Sequence, residues 1–223
     1  MSDNIYVQIF NNNDEAVSVL RTDSVRAYAM RGLTNTSFNA VQKTMMVDML
    51  NYGAEAQAFF KNYHIDDLAN ALMSEEQKSL ATATVEYSNK RDTTDANGYY
   101  VGSTLTLENS ILMTLYFKNI SRDMRAVVTF TNHSGSAQEI EVSGSEFKAN
   151  GSYLGVEVDE IVVADARQLV TVKIYDGDTL LSTVSDSIES NAARSTGELF
   201  DAIMRFADSA YKMFREQEKG GKK

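Results

Sequence analysis

The sequence predicts an α+β fold in which an antiparallel β-sandwich is combined with two repeat-related helix pairs. Two observations carry that expectation. The chain contains the same message twice, and between the copies lies a stretch of short apolar–polar alternations at period two, the pattern of half-buried strands. The first copy reads Val7-Gln8-Ile9-Phe10, a polar turn, Thr22-Asp23-Ser24-Val25, then Ala29-Met30-Arg31. The second reads Val172-Lys173-Ile174-Tyr175, a polar turn, Ser185-Asp186-Ser187-Ile188, then Ala192-Ala193-Arg194. A further block follows each copy. Met45, Met46, Met49, Leu50, Tyr52, Gly53, Ala56 and Phe60 match Leu199, Phe200, Ile203, Met204, Phe206, Ala207, Ala210 and Phe214 without a gap. Repetition of this kind is the mark of stacked or arrayed architecture more than of a single catalytic scaffold.

In chain order, Ile5 to Phe10 reads as a strand, with Ile5, Val7 and Ile9 on one side and Tyr6 and Phe10 on the other. Asn11 to Asp14 is a turn, because Asn and Asp tolerate positive φ and bond their own backbone. Ala16 to Leu20 returns. Thr22 or Asp23 caps a helix to about Leu33, and Asn35-Thr36-Ser37 breaks it. A long helix is expected over 39–63, its apolar positions 45, 46, 49, 52, 53, 56, 59 and 60 making one broad face. Ile65 to Met73 reads as a short helical turn. Ser74-Glu75-Glu76-Gln77 has capping-box spacing and opens a helix to about Ala83. An isolated hairpin is marginal in water, so Ile5, Val7 and Ile9 are expected to bury against helix 39–63, contributing on the order of 5 kcal/mol.

From Tyr99 the strands expected are Thr104–Glu108, Ile111–Lys118, Arg125–Thr131, Gln138–Ser143, Tyr153–Val158, Leu169–Tyr175 and Leu180–Val184, separated by polar turns. Short strands at this spacing read as an immunoglobulin-like sandwich. Helices at about Asp186–Arg194 and Gly197–Gln217 close the chain. The organisation is therefore 1–83 as hairpin and helical unit, 84–98 as a connecting loop, and 99–223 as sandwich and helix pair. The stretch from Arg31 to Met45 exceeds that from Arg194 to Leu199 by nine residues, which predicts a longer interhelix connection in the first copy.

Composition narrows the function classes. A formal net charge of −10 argues against nucleic acid and anionic membranes, which favour clustered Lys and Arg. With no cysteine there are no disulfides, thiolate metal sites or thiol nucleophiles. Nothing approaches ~18 consecutive apolar residues, so no transmembrane helix and no membrane insertion are expected. Met1-Ser2-Asp3-Asn4 leads straight into a strand and is not a signal peptide. Proline is absent, so Gly, Asn, Asp and Ser make every turn.

No constellation of residues reads as a catalytic or metal site. His64 and His133 are the only histidines; with Asp66 and Asp67 they lack metal-ligand spacing, and no nucleophile-elbow motif completes a Ser-His-Asp triad. Asp176-Gly177-Asp178 and Asn11–Asp14 are oxygen-rich but lack the closing Glu of a calcium loop, and turn chemistry explains them. Asp159, Glu160 and Asp165 resemble a glycosidase carboxylate pair only in composition, without nearby aromatics, and read as a solvated loop. Met45, Met46, Met49 and Leu50 read as core, since they recur as Leu199, Phe200, Ile203 and Met204. Tyr99 and Tyr100 are the candidate ligand-facing residues. As neighbours on a strand they point to opposite faces, so at most one is exposed. No cofactor is implied.

Met46 to Gln57 (MVDMLNYGAEAQ) resembles a segment of large secreted and cell-surface proteins of anaerobic Gram-positive gut bacteria. Asp186-Ser187-Ile188-Glu189-Ser190 with Ala193-Arg194, and Ile203 to Tyr211 (IMRFADSAY), resemble the matching C-terminal signature. The likeness runs from about Thr22 to Phe214, to a poorly characterised terminal module with no catalytic residues to carry over. It implies an extracellular or cell-surface address, as part of a longer precursor, and a non-catalytic structural or adhesive role. The partners expected are protein or, alternatively, glycan at the cell surface, with self-association through the N-terminal hairpin as a further alternative.

Overall fold

A computed structural model describes residues 5–61, 64–88, 90–107, 111–159 and 161–220. The fold mixes helices with antiparallel sheets. Among the described residues, no helix is long and apolar enough to cross a membrane. The chain divides into two compact units, Met1–Thr84 and Val85–Lys223.

In the first unit, β1 (Ile5–Val7) pairs antiparallel with β2 (Arg21–Asp23), placing Ile5 opposite Asp23 and Val7 opposite Arg21. The strands are shorter than the alternation predicts, and the return strand lies nearer the helix. The reason is Ser18. Its hydroxyl accepts the Ile9 N–H at 2.9 Å while its carbonyl accepts from the Gln8 side chain, so side chains interrupt the ladder. Pairing resumes at the tip with a Phe10–Ala16 bridge. There the Asn11 carboxamide accepts the N–H groups of Asn13 and Glu15 and closes the turn.

Ser24, and not Thr22 or Asp23, caps α1 (Val25–Thr34), accepting the Ala27 N–H at 3.0 Å, because Thr22 and Asp23 are still paired in β2. Asn39 and Gln42 form a capping box at the start of α2 (Ala40–Phe60), which ends at Lys61 in the left-handed region. Residues 62 and 63, which the sequence assigns to this helix, lie outside the described residues. The buried stripe of α2 is Met46, Val47, Leu50, Gly53 and Ala54, turned from the expected one, and Phe59 and Phe60 are exposed. The rotation follows from the segment 65–82, which folds back along α2. Its Ala69 and Met73 join Ala29, Leu33, Val47 and Leu50 in one core, and Thr82 donates N–H and hydroxyl to the buried Asp48. Residues 65–73 form turns held by the Gln57 side chain, not a helix. The capping box at Ser74 opens only α3 (Glu75–Lys78), because the Ser79 hydroxyl bonds back to the Glu76 carbonyl and tighter turns follow.

The second unit holds β3 (Tyr100–Leu107), β4 (Ile111–Phe117), β5 (Arg125–Thr131), β6 (Ala137–Ser143), β7 (Lys148–Asn150), β8 (Tyr153–Val158), β9 (Val170–Asp176) and β10 (Thr179–Asp186). They form two four-stranded antiparallel sheets, β10-β9-β5-β6 and β3-β4-β8-β7. β3 starts earlier than expected, across a bulge between Tyr100 and Gly102. Glu108 lies outside the described residues. The unforeseen strand, β7, is three exposed residues with no alternation to detect. Each sheet buries one face: Met113, Leu115, Phe117, Val156 and Val158 on one, Ala126, Val128, Phe130, Val170, Val172 and Ile174 on the other. Two apolar sheet faces are what a sandwich requires.

Ser187 caps α4 (Ile188–Ala193), and α5 (Glu198–Gly220) buries Leu199, Ala202, Ile203, Met204, Ala207 and Ala210 at helical spacing. The nine-residue excess of the first copy lengthens the helices more than the connection. α1 has 10 residues against 6 in α4, and the connections are 35–39 and 194–197. Residues 85–88 and 90–98 run against their own unit as a tied strap: Ser88 bonds Glu189, Asp92 bridges Ser185 and Asn97 bonds the Leu181 carbonyl.

The expected burial of the N-terminal hairpin against α2 does not occur. Ile5, Val7 and Ile9 are exposed, as are Val17 and Val19 across from them. The face that α2 presents is already covered by α1 and by residues 65–82.

Candidate functional site

Two regions concentrate chemistry, one buried and one exposed. The buried region gathers around Asp186, the residue before the α4 cap. Its carboxylate accepts from Ser103 Oγ at 2.6 Å, from the Ser187 N–H at 2.9 Å, from Arg194 Nη2 at 3.2 Å and from the Tyr100 hydroxyl at 3.3 Å. Burial pushes this carboxyl up, but the bonds from Ser103 and the Ser187 N–H, with the Arg194 charge, outweigh it and hold the group below the usual range. Burial pushes the Tyr100 phenol up.

A second cluster in the same unit centres on Arg167. It grips Asp208 with two bonds, at 2.6 and 2.8 Å, and reaches Glu189 at 2.5 Å; Glu189 also takes the N–H and hydroxyl of Ser88. Tyr87 donates to Asp201 at 2.6 Å, and burial together with that carboxylate raises its phenol strongly. A carboxylate saturated with donors is a poor base and a poor nucleophile. These clusters tie β3, residues 85–88 and the terminal helices together.

The sequence-derived candidates are scattered. His64 sits at positive φ in an exposed turn, while Asp67 pairs with Arg26 at 2.7 Å. His133 is held by the buried Asp165 through its backbone N–H and through Nδ1 at 3.0 Å, with its ring 4.5 Å from that of Phe214. Asp165 is thereby engaged. Asp159 is exposed, and Glu160 lies outside the described residues. Asp176 pairs with Thr179 across the two-residue turn Gly177-Asp178 of the β9–β10 hairpin, where Gly177 supplies the positive φ. Among the described residues, no group of three or more His, Asp or Glu is placed to hold a metal ion. Met46 and Leu50 are buried, and Met45 and Met49 pack against them. Tyr99 is half-buried, and Tyr100 turns inward, its ring edge-on to Phe117.

The exposed region is the hairpin of the first unit. Ile5, Val7, Arg21, Asp23, Ser24, Val25 and Tyr28 line an open groove of about 430 Å³. Next to the helix cap its geometry matches that of the second unit. Val170 faces Asp186 and Val172 faces Val184, as Ile5 faces Asp23 and Val7 faces Arg21. The caps Ser24 and Ser187 have φ,ψ of −148°, 161° and −146°, 162°. Asp23 accepts the Ser24 N–H and pairs with Arg31, just as Asp186 accepts the Ser187 N–H and pairs with Arg194. The surroundings differ completely. Val170, Val172 and Ile174 are 0% exposed, whereas Ile5, Val7 and Ile9 are 60%, 54% and 60% exposed. The sequence shows both Asp-Ser motifs at the helix starts but not their pairing with the arginine eight residues on; the signal was the matched Arg31 and Arg194.

No family model, curated protein or solved structure matches this chain.

Proposed function

We propose that this chain is a non-catalytic interaction module of an extracellular bacterial surface protein. It is built from an immunoglobulin-like sandwich and two copies of a hairpin–cap–helix unit, and it binds protein through the apolar face of the first hairpin. One observation carries the reading: side chains at matched positions are wholly buried in the second unit and exposed in the first. A contiguous apolar face of that kind marks an interaction surface. The matched ladders, caps and Asp–Arg pairs support the reading as copies. The resemblance of Met46–Gln57 and Ile203–Tyr211 to gut-bacterial surface modules supports the address. The engagement of Asp186, Glu189 and Asp165 supports a structural role for the buried charges.

Displaying the chain on an inert bacterial cell tests this. The chain is expected to confer adhesion to protein-coated surfaces or between cells, and Val7→Lys with Val25→Lys is expected to abolish it. Adhesion that survives both changes, or none from the unaltered chain, overturns the reading.

A second reading has its own observation. Tyr6 on β1 and Phe10 at the bridge beyond it are both exposed, offering two aromatic rings for stacking against sugars. Glycan binding lost in Tyr6→Ala with Phe10→Ala, and kept in Val7→Lys, supports it; no glycan binding overturns it.

A further inference from the structure

We propose that the occupant of the first hairpin is a second copy of this chain, with β1 pairing antiparallel to β1 of the other copy across a two-fold axis. The inference rests on the reading of the hairpin as an interaction surface and names its partner.

The second unit shows what this hairpin geometry accommodates. On the edge of β9 away from β10 lies β5, antiparallel, with Val128 opposite Val172 and Ala126 opposite Ile174. β1 occupies the place of β9, and among the described residues no strand fills its corresponding edge. A strand that filled this edge as β5 fills that of β9 would be antiparallel to β1 and would offer apolar side chains opposite Val7 and Ile9.

A second β1 meets both conditions. If Val7 faces its own counterpart at the axis, Ile5 of each copy faces Ile9 of the other. The pairs then alternate as Val128–Val172 and Ala126–Ile174 do, and every apolar side chain stays on one face. On the other face Tyr6 meets Gln8. Antiparallel self-pairing satisfies two-fold symmetry, since each copy gives and receives the same contacts. The four-stranded sheet that results repeats the order of two paired hairpins seen in β10-β9-β5-β6.

Local charge permits this pairing although net charge opposes it. A molecule of net charge −10 repels its own copies. Yet Ile5 to Phe10 carries no charged residue, no proline and no glycine. Natural edge strands are usually blunted with such residues, lysine above all. This one is left open, and Arg21 and Asp23 lie on β2, away from the free edge.

Sedimentation of the full chain over a range of concentrations tests the proposal. A reversible monomer–dimer equilibrium is expected. Val7→Lys places two like charges face to face at the axis and is expected to weaken the dimer by about tenfold or more, with the melting temperature of the dilute monomer unchanged. Val7→Asp is expected to weaken it likewise, and mixing the two variants is expected to restore pairing as a heterodimer. A dimer indifferent to Val7→Lys overturns the register and the surface. A chain that stays monomeric yet still adheres to foreign proteins overturns self-pairing while leaving the interaction reading intact. Loss of both overturns both.

Discussion

Asp23 and Asp186 are the same residue in the same local geometry, each bonded to the N–H of a capping serine and to an arginine eight positions on. Their surroundings decide what each contributes. Asp23 is exposed, and Arg31 lowers its carboxyl value mainly through the side-chain hydrogen bonds. Ion pairs in water contribute little, so Asp23→Asn is expected to leave the melting temperature nearly unchanged. Asp186 is buried with four partners, and Asp186→Asn is expected to cost about 2 kcal/mol, because one buried acceptor becomes a donor among donors. The folded-state value of Asp186 lies below its unfolded one. Its contribution is therefore complete above the unfolded value of about 3.9 and vanishes as pH falls through the folded value. Acid titrations of stability are expected to show a steeper loss below about pH 4 in the unaltered protein than in Asp186→Asn. Parallel slopes would contradict this account of the Asp186 cluster.

At the scale of elements, the place where α1 starts was legible in the sequence because capping is local chemistry, but the capping side chain is Ser24 and not Thr22 or Asp23. Ser24 and Ser187 each accept an N–H three residues on at 3.0 Å. Ser187→Ala and Ser24→Ala are each expected to lower stability by about 1 kcal/mol. The loss should be larger at Ser187, where burial denies water the freed N–H, and thermal denaturation of the two variants compares them. Strands were legible where alternation was sustained: Arg125–Thr131 and Tyr153–Val158 lie where the sequence puts them. Lys148–Asn150 has no such pattern, and its strand character comes only from pairing with β8. The buried stripe of α2 was misplaced for a related reason. Periodicity tells that a face is buried but not what covers it, and the Ala69–Met73 turns that settle the matter have no regular period. The hairpin departs from expectation for the same reason, since its apolar alternation marks a face that can be covered but does not say by what.

At the scale of the whole molecule, the recurring apolar spacing was visible in sequence, although α2 buries Met46, Val47 and Leu50 where α5 buries Leu199, Ile203 and Met204. The order in which strands pair was not, since pairing is decided by tertiary register. Nor did the pattern disclose that one copy would be enclosed and the other open. The proposal of self-pairing rests on that asymmetry: alike caps and Asp–Arg pairs, with both edges of β9 filled within its unit and one edge of β1 open among the described residues. Amide hydrogen exchange, followed peptide by peptide as protein concentration is raised, tests it most directly. Residues 170–176 are expected to be protected at every concentration, because β5 and β10 already hold both edges of β9. Residues 5–10 are expected to exchange freely in dilute solution and to become protected as the protein is concentrated. Protection of residues 5–10 in the dilute monomer, or free exchange at every concentration, would contradict the account.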